Sequence, residues 1–64
     1  MFELSKKILT NVSFDKALFA KEFAKALRYL RSDERLLLKV WAIATFGNAY
    51  RDLIVQIFRS VTKT

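Results

Sequence analysis

Three cations are spaced so that they share one side of a helix. Lys21, Lys25 and Arg28 stand at positions i, i+4 and i+7, and at 3.6 residues per turn this spacing brings their side chains into one row. Such a row can bind nucleic-acid phosphates, an anionic lipid surface or the carboxylates of an acidic protein. It can also be an ordinary solvated helix face, and the spacing does not distinguish these alternatives.

Three further cations, Arg31, Arg35 and Lys39, extend the predicted partner-binding set. Arg31 follows the row directly. Arg35 and Lys39 are the long polar side chains of an otherwise apolar stretch, and they lie near the end of the row if that stretch folds back beside it. Each can anchor an acidic partner, or lay its alkyl stem over the core while its charged head stays in water.

The chain has few residues suited to catalysis or to metal binding. It has no histidine and no cysteine, which removes the usual nucleophiles, bases and zinc ligands. The six acids are Glu3, Asp15, Glu22, Asp33, Glu34 and Asp52. The adjacent pair Asp33 and Glu34 could bind a cation, but a helix start explains it better, because acids favour the first turn. We therefore predict no enzyme activity, no catalytic residue, no metal and no cofactor.

Length and composition indicate one small globular domain, residues 1–64. The chain is 53% hydrophobic and 28% charged, with 12 basic and 6 acidic residues and a net charge of +6. A core of this size is marginal and often needs added stabilisation. Since no disulfide can form, dense helix packing or self-association must supply it.

The N-terminal residues contain no continuous apolar stretch of the kind found in a signal peptide. The longest weakly interrupted apolar run, LLLKVWAIATF, covers residues 36–46, and a membrane-spanning helix needs about 20 residues. These features favour a cytoplasmic protein.

The absence of proline and the single glycine predict four helices joined by tight turns. Their expected ranges are 4–12, 14–31, 33–46 and 49–61. Ser13, Ser32 and Asn48 are the expected N-caps, and Gly47 is expected to end the third helix with a positive φ. The predicted fold class is all-α, a compact four-helix domain.

The third predicted helix is apolar on nearly every side, which is typical of a buried helix. We expect it to be central, with the other three helices each turning one apolar face toward it. Three helices do not necessarily cover it completely, so a homodimer is a second way to bury the remainder.

The aromatic residues could serve as stacking platforms for nucleic-acid bases. Phe19, Phe23 and Phe58 fall on the apolar stripes of their helices, however, and Trp41 lies in the predicted central helix, which favours a core role. Tyr29 falls on the side of Lys25, away from the main stripe.

The hypothesis that the sequence favours is a small basic, non-enzymatic interaction module that binds an acidic protein or polyanion. The first alternative is a nucleic-acid-binding accessory protein, and the second is a membrane-active cationic helical peptide. A helix-turn-helix around Gly47 is disfavoured because the outer face of the following helix would carry few hydrogen-bond donors.

Overall fold

The computed structural model describes residues 2–62, which form three helices. They are α1 (Phe2–Asn11), α2 (Lys16–Tyr29) and α3 (Ser32–Thr62). The predicted all-α class is confirmed for the described residues. The predicted count of four helices is wrong, because the expected third and fourth helices are one continuous element.

The start of α2 is fixed by Asp15 rather than by Ser13. Asp15 has extended backbone angles, and its Oδ1 accepts a hydrogen bond from the backbone N–H of Leu18 at 3.1 Å. The Ser13 hydroxyl instead donates to the carbonyl of Thr10 at 2.9 Å. The prediction of Ser13 as the N-cap is therefore wrong, and the carboxylate of Asp15 is the stronger choice because it also complements the helix dipole.

Between α2 and α3 the chain changes direction over two residues, Leu30 and Arg31. Leu30 is extended, with ψ 154°, and its N–H donates to the carbonyl of Ala26. The first backbone bond of α3 runs from Arg35 N–H to the carbonyl of Arg31 at 2.8 Å. Arg31 therefore takes the N-cap position predicted for Ser32, and its N–H is 3.4 Å from Glu34 Oε1, as in one half of a capping box.

Gly47 does not end a helix. No residue among 2–62 has a positive φ, so the predicted helix stop at Gly47 and the predicted cap at Asn48 are both wrong. A glycine inside a helix costs only about 1 kcal/mol relative to alanine. Phe46 and Tyr50, one turn apart, offset that cost by packing on Phe19, with ring centroids 5.2 and 4.8 Å away.

Although continuous, α3 is sharply bent. The Lys39 ammonium lies 4.8 Å from the centroid of the Phe58 ring, whereas 19 residues of straight helix would separate them by about 28 Å. The molecule is 28 Å in its longest dimension, while 31 residues of straight helix would measure about 46 Å. The bend therefore lies near residue 48, midway along the chain between Lys39 and Phe58. Gly47, the single glycine, lies beside it, and glycines are frequent at sharp kinks.

The core is organised around α2. Its fully buried apolar side chains are Leu9, Phe19, Phe23, Leu27, Leu38, Ala42 and Ile54, with Leu30 at 3% exposure. Three of these belong to the 14 residues of α2 and Leu30 follows it directly, whereas the 31 residues of α3 contribute three and α1 contributes one. The chain therefore buries the predicted stripe of its second helix more completely than any face of α3.

The prediction of a nearly fully buried central helix is wrong for the first half of α3. Leu36, Leu37 and Val40 are 54%, 57% and 59% exposed, and Trp41 is only partly buried. These side chains stay exposed because α1, α2 and the second half of α3 together pack against only part of the circumference of this segment. Leu36, Val40 and Leu37 fall within about 100° of one another around the helix axis, on the uncovered side.

The bend in α3 is tied to the turn between α1 and α2. The Tyr50 hydroxyl donates to the carbonyl of Ser13 at 2.6 Å, and the rings of Trp41 and Phe46 meet edge-to-face at 5.5 Å. The Tyr50 hydrogen bond therefore joins the bend in α3 to the turn between α1 and α2. Among the described residues, no helix combines the length and the apolar character needed to cross a membrane.

Candidate partner-binding surface

Lys21, Lys25 and Arg28 form one exposed row along α2, which we call the basic row. Its position follows from the opposite face of the helix, where Phe19, Phe23 and Leu27 are fully buried. Because the buried positions and the cations alternate with helical periodicity, burying one set turns the other toward solvent. The predicted clustering of these three residues is therefore present in the fold.

The charges of the basic row are not neutralised within the described part of the chain. The ion pair found there joins Lys6 Nζ to Glu3 Oε2 at 3.5 Å, on α1. Glu22 neighbours the row but makes no ion pair with it. Like charges one helical turn apart destabilise a helix by about 0.2–0.5 kcal/mol per pair, so the row carries a small repulsion that an anionic partner would relieve.

Arg31 and Arg35 both lie at the C-terminal end of α2, but in different roles. Arg31 is exposed in the segment between α2 and α3. Arg35 is partly buried, and its Nε donates to the carbonyls of Leu27 at 2.6 Å and Leu30 at 3.1 Å. These are carbonyls that a helix end leaves without intrahelical partners. Arg35 thus caps α2 from α3, a role that the sequence did not suggest.

Lys39 makes its contact within α3 rather than at this end of α2. Its ammonium sits over the ring of Phe58 in the second half of α3, at a distance typical of a cation–π interaction. Of the six predicted binding residues, three form the basic row, Arg31 and Arg35 lie at its C-terminal end, and Lys39 stabilises the folded-back arrangement of α3.

An apolar groove between α1 and α2 borders the basic row, and we call it the α1–α2 groove. It encloses about 210 Å³ and is lined by Leu4, Ser5, Ile8, Glu22, Lys25, Ala26 and Tyr29. Leu4 and Tyr29, at 52% and 67% exposure, leave it open to solvent. Lys25 belongs to both the row and the groove, so a cation stands directly beside apolar surface.

The sequence indicated part of this groove. Tyr29 was expected on the side of Lys25, off the core stripe, and its high exposure confirms that it lies outside the core. Leu4 and Ile8 belong to the apolar face that the first helix was expected to turn toward the core. Their place beside Lys25 depends on how α1 crosses α2, a long-range feature that periodicity within one helix does not contain.

The chemistry available at this surface is charge and apolar contact. In residues 2–62, no cluster of three or more His, Cys, Asp or Glu side chains is placed to hold a metal ion. Comparison of the chain with protein-family models, with curated proteins and with solved structures finds no match.

Proposed function

We propose that this chain is a small, non-enzymatic interaction module that binds an acidic protein segment through the basic row and the α1–α2 groove. The observation that carries the proposal is the juxtaposition at Lys25, where unneutralised cations border an open apolar groove. The absence of histidine and cysteine from the sequence supports a binding role rather than a catalytic one. The cytoplasmic location remains a prediction from the sequence.

Charge and apolar contact would contribute differently to binding. An exposed ion pair is worth about 0.2–1 kcal/mol, so the basic row alone gives weak and salt-sensitive attraction. Burying one apolar side chain contributes about 1.5–3 kcal/mol. The partner that uses both features is an acidic segment with an apolar side chain among its carboxylates. The charges then set orientation and association rate, and the apolar anchor supplies much of the affinity.

The α1–α2 groove favours a protein partner over a nucleic acid. A phosphate backbone is bound by cations and hydrogen-bond donors, and it offers no aliphatic side chain for Leu4, Ile8 and Ala26 to contact. A membrane-active helix would require a broad apolar face, whereas the apolar surface beside the row is a groove of about 210 Å³. These two alternatives are outcomes that the following experiment separates.

The test uses a capped 16-residue peptide of Asp and Glu with one central Leu, and a second peptide with Ser in place of that Leu. Binding is measured by fluorescence anisotropy at two salt concentrations, beside a single-stranded DNA 16-mer and anionic phospholipid vesicles. We expect the Leu peptide to bind at least fivefold more tightly than the Ser peptide, and more tightly than DNA. Stronger binding to DNA or to vesicles would overturn the proposal.

A charge-matched pair of variants separates a local site from general electrostatics. The site variant is K21Q/K25Q/R28Q. The control is K7Q/K16Q/R59Q, which removes three exposed cations elsewhere and leaves the same net charge of about +3 (six minus three). We expect the site variant to lose about tenfold in affinity and the control to lose less than twofold. Equal losses would show attraction by net charge alone and would refute the proposed site.

A further inference from the structure

Glu22 places a negative charge in the wall of the α1–α2 groove. It lines the groove together with Lys25, Ala26 and Tyr29, and it is partly buried. Within residues 2–62 its carboxylate has no ion-pair partner. A partly buried charge without a partner costs free energy that an opposite charge can recover. The groove therefore offers a bound partner a carboxylate as well as the ammonium of Lys25.

Glu22 lies between the core face of α2 and the basic row. At about 100° per residue, it stands roughly 40° from Ala26 on one side and roughly 60° from Lys25 on the other. Along the helix axis it precedes both residues by about one turn, and Tyr29 follows them by about another turn. The carboxylate thus marks one end of the α2 wall of the groove, and the phenol of Tyr29 marks the other.

We propose that the partner of the α1–α2 groove is an acidic helical segment with one Lys or Arg placed one turn from its apolar side chain, and that this cation pairs with Glu22. The inference rests on the proposed function, because it requires the apolar side chain to enter the groove beside Lys25. In two helices lying side by side, residues one turn apart are separated by about 6 Å along either axis. An apolar side chain on Ala26 therefore places the next turn of the partner over Glu22.

The charges of the site select this mixed pattern over a uniform one. A uniformly acidic segment brings a carboxylate to Glu22, where like charges repel, and a uniformly basic segment is repelled by the basic row. An exposed ion pair changes affinity by up to about fivefold. Replacing a repulsive contact at Glu22 by an attractive one uses this effect twice, so we expect a gain of about threefold to tenfold from a single cation.

The test compares the acidic Leu peptide with three peptides of equal charge, in each of which one acid is replaced by Lys. The Lys stands one helical turn before the Leu, one turn after it, or at the C-terminal end. The first two placements cover both directions of the partner chain. Each replacement makes the peptide less negative, so attraction by the net charge of +6 alone predicts weaker binding. We expect one of the flanking-Lys peptides to bind at least threefold more tightly than the Leu peptide, and the terminal-Lys peptide to bind no more tightly.

The variants E22Q and D52N separate the role of Glu22 from a general change of charge. Each removes one acid, the first in the groove and the second at an exposed position of α3, so both chains carry about +7 (six plus one). Helicity by circular dichroism checks that each variant is folded. We expect E22Q to bind the acidic Leu peptide about twofold more tightly than D52N does. The gain from the flanking Lys should disappear in E22Q and persist in D52N.

Three outcomes would overturn the inference: no gain from either flanking Lys, an equal gain from the terminal Lys, or a gain that E22Q retains. If the Leu peptide still binds more tightly than the Ser peptide in those cases, the proposed function stands without its cation. Equal binding of the Leu and Ser peptides would overturn both, because the apolar side chain would then not occupy the groove.

Discussion

Replacing Arg35 by Met should destabilise the fold far more than the loss of an ordinary surface cation. The substitution keeps the length and apolar stem of the side chain but removes the Nε–H that donates to Leu27 and Leu30. Because the two carbonyls share one Nε–H, we count a single hydrogen bond from a charged donor, which contributes about 1.5–3 kcal/mol. A cation at a helix C-terminus adds about 0.3–1 kcal/mol. We expect the free energy of unfolding to fall by about 2–4 kcal/mol.

This loss is large for a chain of 64 residues. Typical stabilities of about 0.05–0.15 kcal/mol per residue give roughly 3–10 kcal/mol in total. Each kcal/mol shifts the melting temperature of a domain this size by about 4–8 °C, so Arg35→Met should lower it by about 8–32 °C. Urea unfolding followed by Trp41 fluorescence and by circular dichroism at 222 nm measures both quantities.

Two companion variants determine whether the geometry of the hydrogen bond or the charge of the side chain is responsible for the loss of stability. Arg35→Lys keeps the charge but lacks the Nε–H, and we expect it to lose about 1 kcal/mol. Arg31→Met removes an exposed cation near the same helix end, whose hydrogen bond in the structure comes from its backbone. We expect that control to cost less than about 0.5 kcal/mol. A cost for Arg35→Met no greater than that for Arg31→Met would show that the capping contact contributes nothing measurable to stability.

The remaining predictions concern Gly47 and the start of α2. Gly47→Ala should raise the free energy of unfolding by about 0.5–1 kcal/mol. Its φ is not positive, and the added Cβ would meet Ile43 at an ordinary contact distance of 3.5 Å. A decrease in denaturation experiments would mean that the bend depends on glycine. Asp15→Ala should cost about 1 kcal/mol through the lost N-cap, and Ser13→Ala clearly less. The reverse order in urea unfolding would restore Ser13 as the cap.

The parts of the fold that local periodicity determines could be predicted from the sequence. The buried stripe of Phe19, Phe23 and Leu27 and the exposed basic row opposite it follow from spacing within one helix. The exposure of Tyr29 follows in the same way. These features need no knowledge of the other helices, because a side chain turned away from the core stripe of a surface helix meets solvent.

The predictions that failed depend on contacts between distant residues. Gly47 carries the usual signal of a helix end, but the packing of Phe46 and Tyr50 on Phe19 keeps the helix continuous. Leu36, Leu37 and Val40 were expected in the core because they are apolar. Their exposure depends on how much of α3 its neighbours can cover. The role of Arg35 likewise requires the end of α2 to lie beside the first turn of α3.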